Sequence, residues 1–362
     1  MRIRRRLVAL AAATMLVAVA CSSGAPAVLT KVRLQLQWVP QAQFAGYYAA
    51  VDQGYYKAEG LDVQILPGAV EIVPATVVVG GNAEFGISWV PKMLASRESG
   101  ADVQVIGQVF QRSATTEVSF KDKNITAPAD WKGKKVGVWG FGNEAEPYAA
   151  MRKVGIYPAS ASDVTIVSQD FTMNAFLKGD IDSAEAMTYN EYAQVLESKN
   201  PATGKLYTPA DLNVITMESA GAAMLQDAIF ASQAWLAKAG NEDTAVKFLR
   251  ASYKGWQFCR DNAAKCVDIV IAAGTKLGKG HQAWMMNEIN ALVWPSPNGI
   301  GMVDQAAWDQ TVKIAIDAKI LTKAPTDGFR NDLTVKALAT LGGDTKGTGF
   351  VKAVVAVTEG GN

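Results

Sequence analysis

Histidine is almost missing from this chain: one residue, His281, in 362. A metal site built from several histidines is therefore excluded. In Gly278-Lys-Gly-His281-Gln the residue is expected at the surface. Cysteine is scarce as well, with three residues and no zinc-type cluster. Beyond the N-terminus no run reaches the roughly 18 apolar residues a membrane helix needs. Basic clusters are lacking too. Arg2, Arg4, Arg5 and Arg6 lie in the first twenty residues, and without them 35 Lys and Arg become 31 against 34 acidic residues. Nucleic-acid binding then has no electrostatic support. The segment Gly137-Val-Trp-Gly-Phe-Gly142 contains no Ser, so it is not a nucleophile elbow. No catalytic residue, metal or cofactor is expected.

The N-terminus carries a different signal. Its four arginines precede Leu7–Val19, an apolar and small-residue stretch broken only by Thr14. That is short for a membrane span and right for a secretory leader. Ala18-Val-Ala20-Cys21 then resembles a bacterial lipoprotein cleavage site, with Cys21 as the acylated residue. The alternative is an ordinary leader cut near Ala20. Residues 21–30 read as a tether. The other cysteines, Cys259 and Cys266, are seven residues apart. On one straight helix that offset separates the Cα atoms by roughly 10 Å, beyond the disulfide limit of about 7 Å. Either the chain turns near Asp261-Asn262 and a bridge forms, or two separate thiols are buried.

Hydrophobic periodicity organises the rest. Val32–Trp38 alternates as a strand, residues 43–57 read as a helix, and Leu61–Leu66 as a strand. Ile72–Val79 is ambiguous between a short helix and a buried strand. Phe85–Ser88 and Val103–Phe110 are strands around a helix at Pro91–Ser99. A second unit comes next: strands at Val136–Trp139, Val164–Val167 and Ser183–Met187, with helices at 145–154, Met173–Lys178 and Glu191–Lys199. Long amphipathic helices are expected at 242–261 and 263–274. The pattern implies an α/β fold with a discontinuous first lobe, 31–115 and 225–340, and an inserted second lobe, 116–224. Crossovers are expected near 113–117 and 221–227. Residues 341–362 form a tail whose pattern implies no element.

Aromatic residues cluster at predicted strand ends: Trp38, Trp89, Trp139, Phe141 and Tyr189. In open α/β sheets such positions face the ligand crevice. Gly140-Phe-Gly142-Asn-Glu-Ala145 fits G-x-G-x-x-A, the dinucleotide fingerprint, and Asp163 lies near the ribose-acid spacing. Glu144 and Glu146, however, crowd the helix start where a pyrophosphate would sit. Facing aromatic planes suit a flat, π-rich ligand. Gln41, Gln111, Asn143, Asn190, Glu144, Glu185 and Glu191 could bond its polar edges. Only Lys92 and Arg112 are nearby cations, whereas an oxyanion would want several. A neutral aromatic nitrogen heterocycle is expected.

The turn Trp38-x-Pro40 and the run Gly54-Tyr-Tyr-Lys-x-Glu-Gly-Leu-Asp62 carry a resemblance that extends from about Val32 to about Leu338. This sequence resembles the extracytoplasmic solute-binding proteins of the thiamine-pyrimidine type (NMT1/THI5-like), relatives of the sulfonate- and nitrate-binding proteins that feed ABC importers. The resemblance implies a type II periplasmic-binding-protein fold, two doubly wound lobes with a ligand cleft between them. It makes Ile72–Val79 a helix and puts a ligand-touching, Gly-rich loop at 140–142. It implies a monomer on the outer face of the cell membrane, partnered by a permease and its ATPase. The ligand-binding residues implied are Trp38, Gln41, Phe44, Trp89, Gln111, Phe141, Gly142, Asn143, Glu144, Met187, Tyr189, Asn190 and Glu191. Pyrimidine binders of this kind commonly carry Asp before the Trp, where this chain has Gln37. Together with the abundance of aromatics, that ranks riboflavin first and a thiamine-precursor pyrimidine second. An exported cofactor-using enzyme is the alternative from another class.

Overall fold

A computed structural model describes residues 28–362. The leader and Cys21 lie outside them. Among the described residues, ten strands form two five-stranded sheets. The first sheet holds β1 (Thr30–Gln35), β2 (Leu61–Leu66), β3 (Phe85–Ser88) and β4 (Val103–Gln108). The second holds β5 (Thr115–Phe120), β6 (Lys135–Val138), β7 (Thr165–Ser168), β8 (Ser183–Met187) and β9 (Leu212–Thr216). The chain then returns to the first sheet as β10 (Ala228–Ser232). The orders are β2-β1-β3-β10-β4 and β7-β6-β8-β5-β9. Each strand that enters a new sheet, β5 or β10, runs antiparallel to both neighbours. The chain therefore crosses between the sheets twice, at 109–114 and at 217–227. The second crossover ends beside the first, because Ala114 N donates to Gln226 Oε1 at 3.0 Å.

Local sequence explains the elements. β1 alternates as its period-2 pattern requires, with Val32 and Leu34 buried against exposed or half-buried Lys31 and Arg33. Every residue of β4 is buried, although the strand ends its sheet. Its free edge is covered by the 328–330 segment, through Val105 N to Gly328 O and Arg330 N to Val105 O, both 3.0 Å. Pro74–Val79 is helical, begun by a proline in its first turn. The expected helix over 43–57 is interrupted: Gly54, at φ 70°, separates Ala45–Asp52 from Tyr55–Ala58.

The helix Asn241–Asp261 carries much of the first lobe's core, burying Phe248, Tyr253 and Trp256. It stops at Asn262 (φ −137°, ψ 51°), and Ala263–Ala272 starts a new helix. That bend brings the Cys259 and Cys266 Cα atoms to 5.5 Å, and the two are disulfide-bonded. Three further helices, Lys279–Val293, Gln305–Asp317 and Asp332–Leu338, complete the lobe. The tail from 350 runs along Lys279–Val293, with Ala353 N and O bonded to the Asn287 amide at 2.9 Å. Its end reaches the second lobe. Gly360 N donates to Glu197 O at 3.0 Å, and Lys199 pairs with Glu359 at 2.6 Å. Among the described residues no helix is long and apolar enough to cross a membrane.

Candidate functional site

The carboxyl ends of β1, β3, β6 and β8 converge on one cavity between the lobes. Trp38, Trp89, Trp139, Phe141 and Tyr189 all line it, with Gln41, Asn143, Met187, Asn190 and Glu191. Its volume is about 200 Å³. Rings from both lobes meet inside. Trp38 lies 4.7 Å from Phe171, centroid to centroid, and Phe171 stacks on Trp139 at 5.8 Å and 20°. Phe171 comes just after β7, so it obeys the same strand-end rule as the others and could have been found by it. The segment from Ala69 to Ala75 forms another wall. It is fixed by Gly68, whose N–H donates to Trp38 O at 2.9 Å. A Cβ at Gly68 would fall 2.4 Å from the Gln37 carbonyl carbon, so only glycine permits this approach.

Behind Trp38 lies a polar lattice. Asp227, the last residue of the second crossover, is 2% exposed and sits at φ 37°. Its two carboxylate oxygens accept from Gln37 Nε2 and, at 2.8 Å, from Gln43 Nε2. Gln37 Oε1 accepts from Trp89 N at 3.1 Å, and Gln43 Oε1 from Gln41 Nε2 at 2.7 Å. Gln37 thus stands beside a carboxylate supplied by the second crossover. Burial pushes the Asp227 carboxyl up to about 7, opposed by the bonds from Gln43 and Gln37. Gln43 and Asp227 did not emerge from the sequence. The available signal was a lone Asp, beside Gln226, in the otherwise apolar run Ala222–Ala231.

The second lobe supplies a different wall. Phe141 is 82% exposed and held at φ 63°, in the left-handed region costly for a bulky side chain. Gly142 N donates to Glu144 Oε2 at 3.0 Å, and Asn143 Nδ2 donates to Gly140 O at 2.8 Å. From the first lobe, Lys92 reaches Asn143 Oδ1 at 3.2 Å and lies over the Trp89 ring at 5.8 Å. Burial lowers the Lys92 pKa, against the pull of Glu144, Asp227 and Glu185.

Several expected residues stand elsewhere. Phe44 is fully buried in the first lobe's core, because the chain turns helical there and points it inward. Gln111 folds back to donate to Gln108 O at 2.7 Å and lines a separate groove at the crossovers, together with Arg112. Glu144 bonds its own loop, and neither it nor Gly142 lines the cavity. Glu185 is buried beneath Trp139, whose N–H it accepts at 2.7 Å, and burial drives its pKa well up. His281 is no surface residue. It is 2% exposed, packed between the lobes against Glu197 and Asn190.

Residues 41–265 match the family described as NMT1/THI5 like. The chain belongs to that family. The NMT1/THI5-like relatives include the riboflavin-binding protein RibY of Chloroflexus aurantiacus, 25% identical over 83% of this chain and 84% of that protein. A formylaminopyrimidine-binding protein of Halalkalibacterium halodurans is 21% identical over 67% of this chain and 70% of its own length. Some relatives are named as enzymes. A 4-amino-5-hydroxymethyl-2-methylpyrimidine phosphate synthase of Aspergillus parasiticus is 27% identical over 61% of this chain and 64% of its own. Among solved structures, the periplasmic aliphatic sulphonate-binding protein SsuA of Escherichia coli superposes with a TM-score of 0.57 at 15% identity, covering 82% of this chain and 90% of that one. The NMT1/THI5-like chain described here therefore has the periplasmic-binding-protein fold.

Proposed function

We propose that this chain is a lipid-anchored, extracytoplasmic solute-binding protein of an ABC importer and captures a planar aromatic nitrogen heterocycle. The observation that carries this reading is the cavity: aromatic planes from both lobes enclose a slot, and amides and the Glu191 carboxylate rim it. Stacking adds roughly 0.5–1.5 kcal/mol per aromatic pair beyond burial. Most polar groups at the site are already bonded to one another, which suits recognition better than turnover. Gln41 Oε1 and the Ser88 and Tyr189 hydroxyls are among the groups left to address a ligand. Among the described residues, one lysine and no arginine line the slot, which favours a neutral ring over a sulfonate.

Riboflavin is the first candidate. The supply of rings suits a three-ring plane, and RibY is named for this ligand. A thiamine-precursor pyrimidine is the second, favoured by the volume. About 200 Å³ is below the roughly 300–1,000 Å³ usual for drug-sized ligands. Side-by-side titration of riboflavin and the formylaminopyrimidine tests both, read by Trp fluorescence and melting temperature. Stabilisation should follow RT ln(1 + [L]/Kd), about 2.7 kcal/mol at a hundredfold excess over Kd. If neither compound binds below about 100 μM, the vitamin assignment is wrong. Anchoring is tested separately: Cys21→Ser should release the protein from membranes, and a variant still membrane-bound refutes acylation there.

A further inference from the structure

The chain's one histidine is built into the seam between the lobes. His281 belongs to the helix Lys279–Val293, which is tied to the first lobe through Gln282 Oε1 accepting from Ala42 N at 2.7 Å. Both its ring nitrogens face the second lobe. Nδ1 lies 2.9 and 3.0 Å from the two Glu197 carboxylate oxygens, and Nε2 lies 2.9 Å from Asn190 Oδ1. Asn190 Nδ2 in turn donates to Glu191 Oε1 at 2.6 Å, and Glu191 Oε2 accepts from Met187 N at 3.0 Å. Met187, Asn190 and Glu191 line the cavity.

Counting donors fixes the proton on the ring. Asn190 turns its NH₂ to Glu191 and its carbonyl oxygen to the imidazole, an orientation that an oxygen of Glu191 accepts in either protonation state. Gln194 Nε2 also approaches that oxygen, at 3.5 Å. Nε2 of His281 must then donate. Nδ1 faces a carboxylate and must donate as well. Two donating nitrogens make an imidazolium. Charged groups on neighbouring segments are already paired. On its own helix, Lys279 pairs with Asp268 and Glu288 with Lys352. Lys199, beyond the Glu191–Leu196 helix, pairs with Glu359 of the tail.

We propose that His281 is a positioning residue for the cavity: as an imidazolium it joins the lobes and orients Asn190, and so Glu191, toward the ligand. Losing the Nε2 proton removes the donor to Asn190. The amide is then free to rotate, and Glu191 loses its fixed partner. The inference rests on the cavity being the ligand site, but not on which heterocycle fills it.

Because His281 is the only histidine, long-range ¹H–¹⁵N NMR of the untagged full chain reports its ring without assignment. Both nitrogens should carry protons at pH 7. A neutral tautomer in the ligand-free protein at that pH overturns the proposal, whatever the ligand is. Affinity is the second measurement, with riboflavin and the formylaminopyrimidine as probes from pH 5.5 to pH 8.5. His281→Gln cannot be protonated, so it should bind about tenfold more weakly than wild type at pH 5.5 and converge on it at pH 8.5. A ratio that does not change with pH shows a merely structural role and overturns the proposal. Melting of each variant without ligand separates misfolding from lost positioning. If neither probe binds wild type, the ligand reading fails, and the NMR result still decides the proton on His281.

Discussion

Two turns face each other across the cavity, and they are held by different means. The first, residues 37–43, is clamped from a distance: Gln37 and Gln43 bond Asp227, which is 190 and 184 positions away in the chain. The second, residues 140–144, is bonded almost wholly to itself, through Glu144 to Gly142 and Asn143 to Gly140. Among the described residues, its side-chain tie to the first lobe is Lys92 to Asn143. Gln41 and Gln43 are buried, whereas Phe141 is 82% exposed. Local bonds set the shape of a loop; only long-range ones set its place. The first wall is thus held by the frame of the fold, and the second chiefly by its own loop.

The comparison breaks most easily at Asp227. Asp227→Ala strips the acceptor from two buried amides, each worth about 1–3 kcal/mol when left unpaired. Binding of the proposed heterocycle should fall about a hundredfold by calorimetry, with a lower melting temperature. Affinity within threefold of wild type would show that the first wall needs no clamp. Trp38→Ala should cost at least tenfold in affinity, because buried area and a stacking plane go together. Unfolding should stay cooperative; normal binding would remove Trp38 from the site.

A pH titration sharpens the contrast further. Burial pushes Asp227, Glu146 and Glu191 each up to about 7. Unfolded carboxyls titrate near 4, so between about pH 4 and pH 7 the folded state holds more protons than the unfolded state. Stability should therefore fall as pH rises through that window. Chemical denaturation at pH 5 and pH 8 checks this, and a rise in stability would show that the three groups are ionised throughout. The smallest effect belongs to the second turn. Glu144→Gln should change affinity less than about threefold, since the side chain bonds its own loop. A large loss would mean that Glu144 swings into the cavity when ligand binds.

Strand ends were the legible part of the site. Trp38, Trp89, Trp139 and Tyr189 stand at the cavity because a strand's position fixes where its last residues and the next turn must lie. Phe44 shows the limit: two residues beyond a turn, helix phase decides direction, and it points into the core. β5 and β9 were missed because neither pattern is strict; Glu117 is buried mid-strand and Val214 is exposed. Asp227, Gln43 and His281 were beyond reach for another reason. Their roles depend on pairings across 84 to 190 residues, which no local window contains. The break at Asn262, by contrast, follows from the geometry that the two cysteines impose.

The tail bears on mechanics. Two crossovers lying side by side would form the line of any hinge between the lobes, and rotation about that line stretches nothing that lies on it. The C-terminal segment lies off it: it is fastened to Asn287 and Glu288 on one lobe and to Glu197 and Lys199 on the other. Any opening of the cleft pulls on this strap with a lever arm. A small swing would load the exposed Lys199–Glu359 pair, and a wide one would have to peel Gly360 and its neighbours from the second lobe. For such an opening the segment would be a door chain.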